Sequence, residues 1–141
     1  MYEAASSFII EEIVMKKIMI GIVGAIAVIF IVAVVMKLTS TEYKIASAVK
    51  AGETKIDLKE VTNTEWTNVG IMIPYTSDKA IEEYMDIEFT GNNRDIDMLD
   101  DRFLLVFADD KTDVKTVKLS NEELVYHIED NRYLIIEKRT D

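Results

Sequence analysis

The chain has 141 residues and no cysteine, which excludes disulfides, thiol nucleophiles and cysteine-ligated zinc. Its formal net charge is -10, and its 49% hydrophobic content is concentrated near the N-terminus. Residues 1–40 carry equal numbers of acidic and basic side chains, so the net charge lies entirely on the remainder, for which binding to nucleic acid or to anionic lipid surfaces is not expected.

An uninterrupted apolar run begins at Ile18 and ends at Met36, with lysines immediately before and after it. A helix of about 20 residues crosses a hydrocarbon core about 30 Å thick, so the length matches a membrane span. The run is apolar on every face, unlike a core helix of a soluble domain. It is also longer than the apolar region of a signal peptide, which usually has about 7 to 15 residues. It therefore predicts an uncleaved transmembrane anchor at residues 18–36.

Residues 1–17 are predicted to form an N-terminal tail. The sequence Met15-Lys16-Lys17 is similar to the beginning of a bacterial export segment, so a start at Met15 is one hypothesis for this region. The lysine pair and the short tail favour a cytoplasmic N-terminus, although lysines beyond the anchor make a simple count equivocal. We expect residues 37–44 to form a juxtamembrane stalk and residues 45–141 to form a domain outside the cytoplasm.

The first half of this domain contains four predicted elements. Residues 44–52 are expected to begin the domain as a strand or a helical turn, which Gly52 ends. Residues 54–61 alternate like a strand, with a helical turn at 58–61 as the alternative. Residues 69–73, VGIMI, predict a buried strand that Pro74 ends, because proline cannot donate to the ladder. Thr76 or Ser77 is then placed to cap a helix of about ten residues.

The second half is predicted to consist of hairpins. Residues 103–107, FLLVF, indicate a central strand, followed by a polar loop at 109–113 and a half-exposed return strand at 114–119. Residues 120–123 have the form of a helix capping box, whereas the alternation from Leu124 to Ile128 favours a strand. We prefer a hairpin of 123–129 with 132–138. The predicted fold class is α+β, an antiparallel sheet of about five strands with one packed helix.

No residue pattern predicts an enzyme, a metal site or a cofactor site. His127 is the single histidine, and no nucleophile-elbow sequence is present. Asp95, Asp97, Asp100 and Asp101 are the best candidates for holding a hard cation such as calcium. Apolar residues interrupt them, however, and the glycine of an EF-hand loop is missing, so a solvated acidic loop is expected.

Trp66, Pro74 and Tyr75 are the candidate partner-binding residues. They lie in the stretch EWTNVGIMIPYTS, which holds the only tryptophan and the only proline of the chain. One interpretation is that the two aromatic rings pack at opposite ends of one strand. The other is that they present a recognition surface, because tryptophan and tyrosine are enriched at binding hot spots.

The same stretch resembles small membrane-anchored or lipoprotein-like extracytoplasmic proteins of Gram-positive bacteria, which carry a tryptophan, a short strand and Pro-Tyr-Thr before a helix. The likeness covers about residues 55–119; the residues that carry it are Leu58, Trp66, Val69, Ile73, Pro74, Tyr75, Thr76 and 104–107. It implies a location and a fold type rather than a chemistry. Thr67 stands where many of these proteins have aspartate, and an apolar helix stands where many have a lipidated cysteine.

The expected function is that of a single-pass membrane protein whose non-catalytic outer domain binds a protein partner at the cell envelope. An immunity-type protein against a secreted toxin is one version of this hypothesis. The alternative is an accessory subunit of a membrane transport or secretion complex, assembled through the anchor helix.

Overall fold

The structure is a computed structural model that describes residues 2–38, 40–120 and 123–140, with side chains from residue 6 onward. The chain divides into two compact units, residues 1–39 and residues 40–141. Each unit has its own architecture.

The first unit is a single helix, α1 (Tyr2–Leu38). Its 37 residues correspond to about 55 Å at 1.5 Å per residue. The part from Ser6 to Leu38 is long enough and apolar enough to cross a membrane. The predicted tail is continuous with the span, because residues 2–17 belong to the same helix, where Lys16 forms an ion pair with Glu12 at 3.5 Å. Met1 lies outside the described residues, so a start at Met15 stays a prediction.

The second unit begins earlier than predicted, with helix α2 (Thr41–Lys50). Leu38 ends α1, and residues 41–44, predicted as part of a stalk, form the first turn of α2; Thr39 lies outside the described residues. The Ser40 hydroxyl caps this helix by accepting the Tyr43 N–H at 3.2 Å. A capped N-terminus and the complete burial of Ile45 explain why this polar segment is helical.

In the described part of the chain, six strands form two three-stranded antiparallel sheets, which confirms the α+β class; about five strands in one sheet were expected. The first sheet has the order β1-β6-β5 and the second the order β2-β3-β4. Three helices accompany them where one was predicted. The remaining elements are β1 (Lys55–Asp57), α3 (Leu58–Val61), β2 (Asn68–Met72), α4 (Asp78–Met85), β3 (Arg102–Asp109), β4 (Thr112–Ser120), β5 (Leu124–Glu129) and β6 (Tyr133–Lys138).

Residues 55–61 adopt both of the structures that their sequence allows, first strand β1 and then helical turn α3. Asp57 marks the change, because its carboxylate accepts the Lys59 N–H at 3.0 Å. The same carboxylate binds the Arg132 guanidinium through two hydrogen bonds, of 2.9 and 2.7 Å. These bonds hold the pKa of Asp57 below its usual value and connect α3 to the start of β6.

Helix α4 follows β2 as predicted, and Ser77 is its cap, accepting the Ala80 N–H at 3.1 Å. It has 8 residues rather than about ten and ends at Asp86, which is left-handed with φ 54°. Ile81 and Met85 are buried on its inner face.

The sheet β2-β3-β4 is covered on both faces, which explains the unbroken apolar run in β3. Phe103, Leu105 and Phe107 point into a core shared with the β1-β6-β5 sheet. Their neighbours Leu104 and Val106 point into a second core with α4 and residues 87–96. Strand β3 is therefore the centre of the domain.

The second hairpin, β5–β6, is also confirmed, with Asp130 and Asn131 in left-handed conformations at its turn. Three residues, 130–132, connect the paired Glu129 and Tyr133, and the Arg132 N–H donates to the Glu129 carbonyl at 3.1 Å. The Asn131 side chain leaves the turn and binds the edge of β2: it accepts the Val69 N–H and donates to the Thr67 carbonyl, both at 2.9 Å. One amide thus joins the two sheets. Residues 121 and 122 of the capping-box pattern lie outside the described residues.

Candidate partner-binding surface

Trp66 precedes β2 and lies in the core, with 4% of its surface exposed. Its ring contacts the Phe107 ring edge-on, with centroids 5.3 Å apart. Its indole N–H donates to the Thr62 hydroxyl at 2.8 Å, and that hydroxyl donates to the Leu58 carbonyl at 2.8 Å. Every polar atom of this arrangement is therefore used within α3 and the loop that follows it.

Lys59 covers the solvent side of Trp66. Its ammonium group lies 3.6 Å from the centroid of the indole ring and donates to the Trp66 carbonyl at 2.6 Å. A cation over an indole face is attracted by the ring quadrupole. The ring is thus enclosed by Phe107 and Lys59, and its position is that of a core residue.

Pro74 and Tyr75 occupy the opposite end of β2. Pro74 is half-buried, whereas Tyr75 is 63% exposed. Tyr75 adopts a left-handed conformation with φ 66°, which is unfavourable for a bulky side chain. Its N–H donates to the Ile96 carbonyl at 2.7 Å, and the neighbouring Thr76 hydroxyl donates to the Ile73 carbonyl at 2.6 Å. These bonds hold the backbone in the turn that directs the tyrosine ring outward.

Two further apolar side chains are exposed within two residues of the Tyr75–Ile96 hydrogen bond. Ile73 is 64% exposed and Met98 is 73% exposed. Ile96, two residues before Met98, is completely buried and anchors its segment in the second core. We call these three exposed side chains the Ile73–Tyr75–Met98 surface. The backbone hydrogen bond brings the two segments that carry these side chains close together, and large exposed apolar side chains on neighbouring segments are candidates for an interaction site.

Acidic residues surround Met98. Asp95, Asp97 and Asp100 are all exposed in the segment 94–101. Asp101 binds the Arg102 guanidinium at 2.9 Å, which lowers the pKa of Asp101. In residues 2–38, 40–120 and 123–140, no group of three or more acidic or histidine side chains is arranged to hold a metal ion. The acidic residues form a rim of negative charge instead.

The sequence motif thus separates into two environments. Trp66 is in the core, Pro74 is half-buried and Tyr75 is on the surface. The sequence does not mark Met98 as a candidate, and it marks Ile73 only as one of the residues that carry the resemblance, not as a binding residue. The available signal for Met98 was an apolar residue within an acidic run, and Ile73 was indistinguishable from the buried residues of its strand. His127, on β5, is exposed.

Comparison of the chain with protein-family models, with curated proteins and with solved structures gives no match.

Proposed function

We propose that this chain is a single-pass membrane protein whose α+β domain lies outside the cytoplasm, performs no catalysis and binds a basic protein partner through the Ile73–Tyr75–Met98 surface. The membrane part of the proposal is supported by α1, which has the length and composition of a span. The lysines before the apolar run support a cytoplasmic N-terminus.

The observation that carries the proposal is the conformation of Tyr75. A non-glycine residue held in an unfavourable backbone region costs about 1–3 kcal/mol, and such residues cluster at binding sites. Here the strained residue has a side chain that is 63% exposed and contributes little to the core, so packing does not compensate for the strain. Binding a partner is a reason to retain a strained, exposed aromatic residue.

Charge indicates the kind of partner. The domain carries all of the -10 net charge, and exposed aspartates surround Met98. A partner that complements this surface presents an apolar pocket for Tyr75 with a basic rim, because complementary charge accelerates association and rejects other partners. A basic secreted toxin, neutralised by an immunity-type protein, is one class with this chemistry.

Site-specific photocrosslinking in native membranes tests the proposal. A benzoylphenylalanine is placed at Tyr75, at Met98, or at the control Asp109 in the full chain. Asp109 is exposed. Leu104 pairs with Met72 at the end of β2 near Tyr75, and Asp109 lies five residues further along β3, about 17 Å from Leu104. We expect one discrete protein adduct from positions 75 and 98 and none from position 109.

A second substitution separates binding from folding. Tyr75→Gly removes the exposed ring and also the left-handed penalty, so the free energy of unfolding is expected to stay equal or to rise by about 1 kcal/mol. The adduct formed from position 98 should nevertheless be lost. If Tyr75→Gly destabilises the domain and leaves that adduct intact, Tyr75 has a structural role and the proposal fails.

The accessory-subunit alternative draws on α1, whose large apolar side chains are exposed along the unit from Phe8 to Leu38. Replacing residues 18–36 with an unrelated membrane span distinguishes the two. Unchanged adducts from positions 75 and 98 support recognition by the domain, whereas their loss indicates assembly through the anchor helix.

A further inference from the structure

A groove distinct from the Ile73–Tyr75–Met98 surface lies between α2 and the strands β4 and β5. Its volume is about 530 Å³, within the range of about 300–1,000 Å³ that is usual for small-molecule sites. Nine residues line it, whereas a standard protein interface engages about 20–30 residues on each side. Its size therefore favours a small ligand over a protein.

The floor of the groove is apolar. Ile45 and Val49, one turn apart on α2, face Leu119 of β4 across it. Ile45 and Leu119 are buried and continue into the core shared by the two sheets. This floor favours a ligand that carries an alkyl chain or a similar apolar group, because binding removes apolar surface from water.

The rim of the groove is basic, in contrast to the rest of the domain. Lys50, the last residue of α2, and Lys118 of β4 both line it and both are exposed. Among the described residues that line the groove, Glu42 is the only acidic one. In a domain that carries a net charge of -10, two lysines at one small groove make a local site for an anion.

Tyr126 supplies a hydrogen-bond donor. The side chain lines the groove, is 7% exposed, and packs edge-on against Phe103 with centroids 5.3 Å apart. Within the described residues its hydroxyl makes no hydrogen bond, and it is not among the fully buried unpaired side-chain atoms, so it is open to the groove and can donate to a ligand. Burial raises the pKa of Tyr126 above its ordinary value, so the hydroxyl stays protonated.

We propose that this groove binds a long-chain fatty acid. The alkyl chain lies along Ala46, Val49 and Leu119, above the buried Ile45, and the carboxylate is bound by Lys50 and Lys118 with a hydrogen bond from Tyr126. A small apolar floor with two lysines on its rim matches a single chain with a single anionic head, whereas a diacyl lipid would leave its second chain in water.

Photolabelling of the full chain in phosphatidylcholine nanodiscs tests this site. The probe is palmitate carrying a diazirine on its chain, and labelled peptides are identified by mass spectrometry. We expect labels in residues 41–50 and in β4 and β5, and we expect competition by unlabelled palmitate but not by hexadecanol, which lacks the carboxylate. Labelling confined to α1, or equal competition by the alcohol, would overturn the proposal.

Three variants test the chemistry of the groove. Ala46→Phe fills it from an exposed helix position, and Lys118→Glu reverses its charge. Each is expected to reduce specific labelling about tenfold. Lys79→Glu, on the exposed face of α4, makes the same charge change away from the groove and should leave labelling unchanged.

Folding of each variant is checked by the fluorescence of Trp66, the only tryptophan. A folded Ala46→Phe variant that labels like the wild type contradicts the site. So does a Lys79→Glu variant that loses as much labelling as Lys118→Glu, because the effect then comes from the overall charge. These results are independent of the crosslinks at positions 75 and 98.

Discussion

Trp66 and Tyr75 show how two aromatic residues nine positions apart acquire opposite roles. Trp66 has a hydrogen-bond acceptor in Thr62, an edge-on aromatic contact with Phe107 and the ammonium group of Lys59 over its ring. The ring of Tyr75 is exposed, and its backbone is held in a strained conformation. The first residue stabilises the domain, and we propose that the second binds its partner.

The Thr62 hydroxyl is expected to be important for stability. Thr62→Val keeps the shape of the side chain but removes the acceptor for the buried indole N–H, which costs about 1–3 kcal/mol. Chemical unfolding followed by Trp66 fluorescence measures the change. Thr64→Val, two residues further along and exposed, is the matched control and is expected to change stability by less than about 0.5 kcal/mol. Equal effects of the two substitutions would contradict the role of the hydroxyl.

At the scale of elements, the Asn131 side chain is a polar connection between the two sheets described above. Its amide takes the place of a strand residue along β2, since it accepts from one backbone N–H and donates to one backbone carbonyl. The same residue is left-handed at the β5–β6 turn. A single asparagine therefore forms the hairpin and docks it.

Glycine substitutions separate these two roles. Asn131→Gly preserves the left-handed backbone and removes both hydrogen bonds, so a loss of about 1–3 kcal/mol in the free energy of unfolding is expected. Asp130→Gly makes the same backbone change at a neighbouring left-handed residue without affecting these bonds. Comparison of the two variants by chemical unfolding isolates the contribution of the amide. A loss at position 130 as large as that at 131 would assign the effect to the turn instead.

At the scale of the whole molecule, an apolar helix precedes an acidic α+β domain. The helix has the length and composition of a membrane span, and the orientation of the domain follows in our proposal from the lysines before the span. An outer location would bring the Ile73–Tyr75–Met98 surface to partners at the envelope.

Protease digestion of intact cells that lack an outer barrier tests the orientation. We expect residues 40–141 to be digested from outside while α1 remains with the membrane after an alkaline wash. Digestion that requires cell lysis would reverse the orientation and direct the search to cytoplasmic partners. Release of the intact chain by the wash would contradict the membrane span itself.

Local patterns predicted most of the elements of the domain. The Ser77 cap, the buried runs of β2 and β3 and the β5–β6 hairpin all follow from residue type and spacing, which act over a few positions. Local patterns left the type of the element at 44–52 open and did not predict a helix that begins at Thr41, because residues 41–44 are polar. The stability of α2 comes partly from Ile45, which packs against distant strands.

The sequence by itself determined the apolar α1 helix, the acidity of the domain, the α+β class and most of its strands, because these depend on composition and short-range periodicity. Only the tertiary structure decided that the strands divide into two sheets, that Trp66 is buried and Tyr75 exposed, and that α2 forms a groove with β4 and β5. These features depend on which distant segments meet, and β1 pairs with β6 across most of the domain. A local pattern predicts that a segment forms a strand but does not identify the strand with which it pairs.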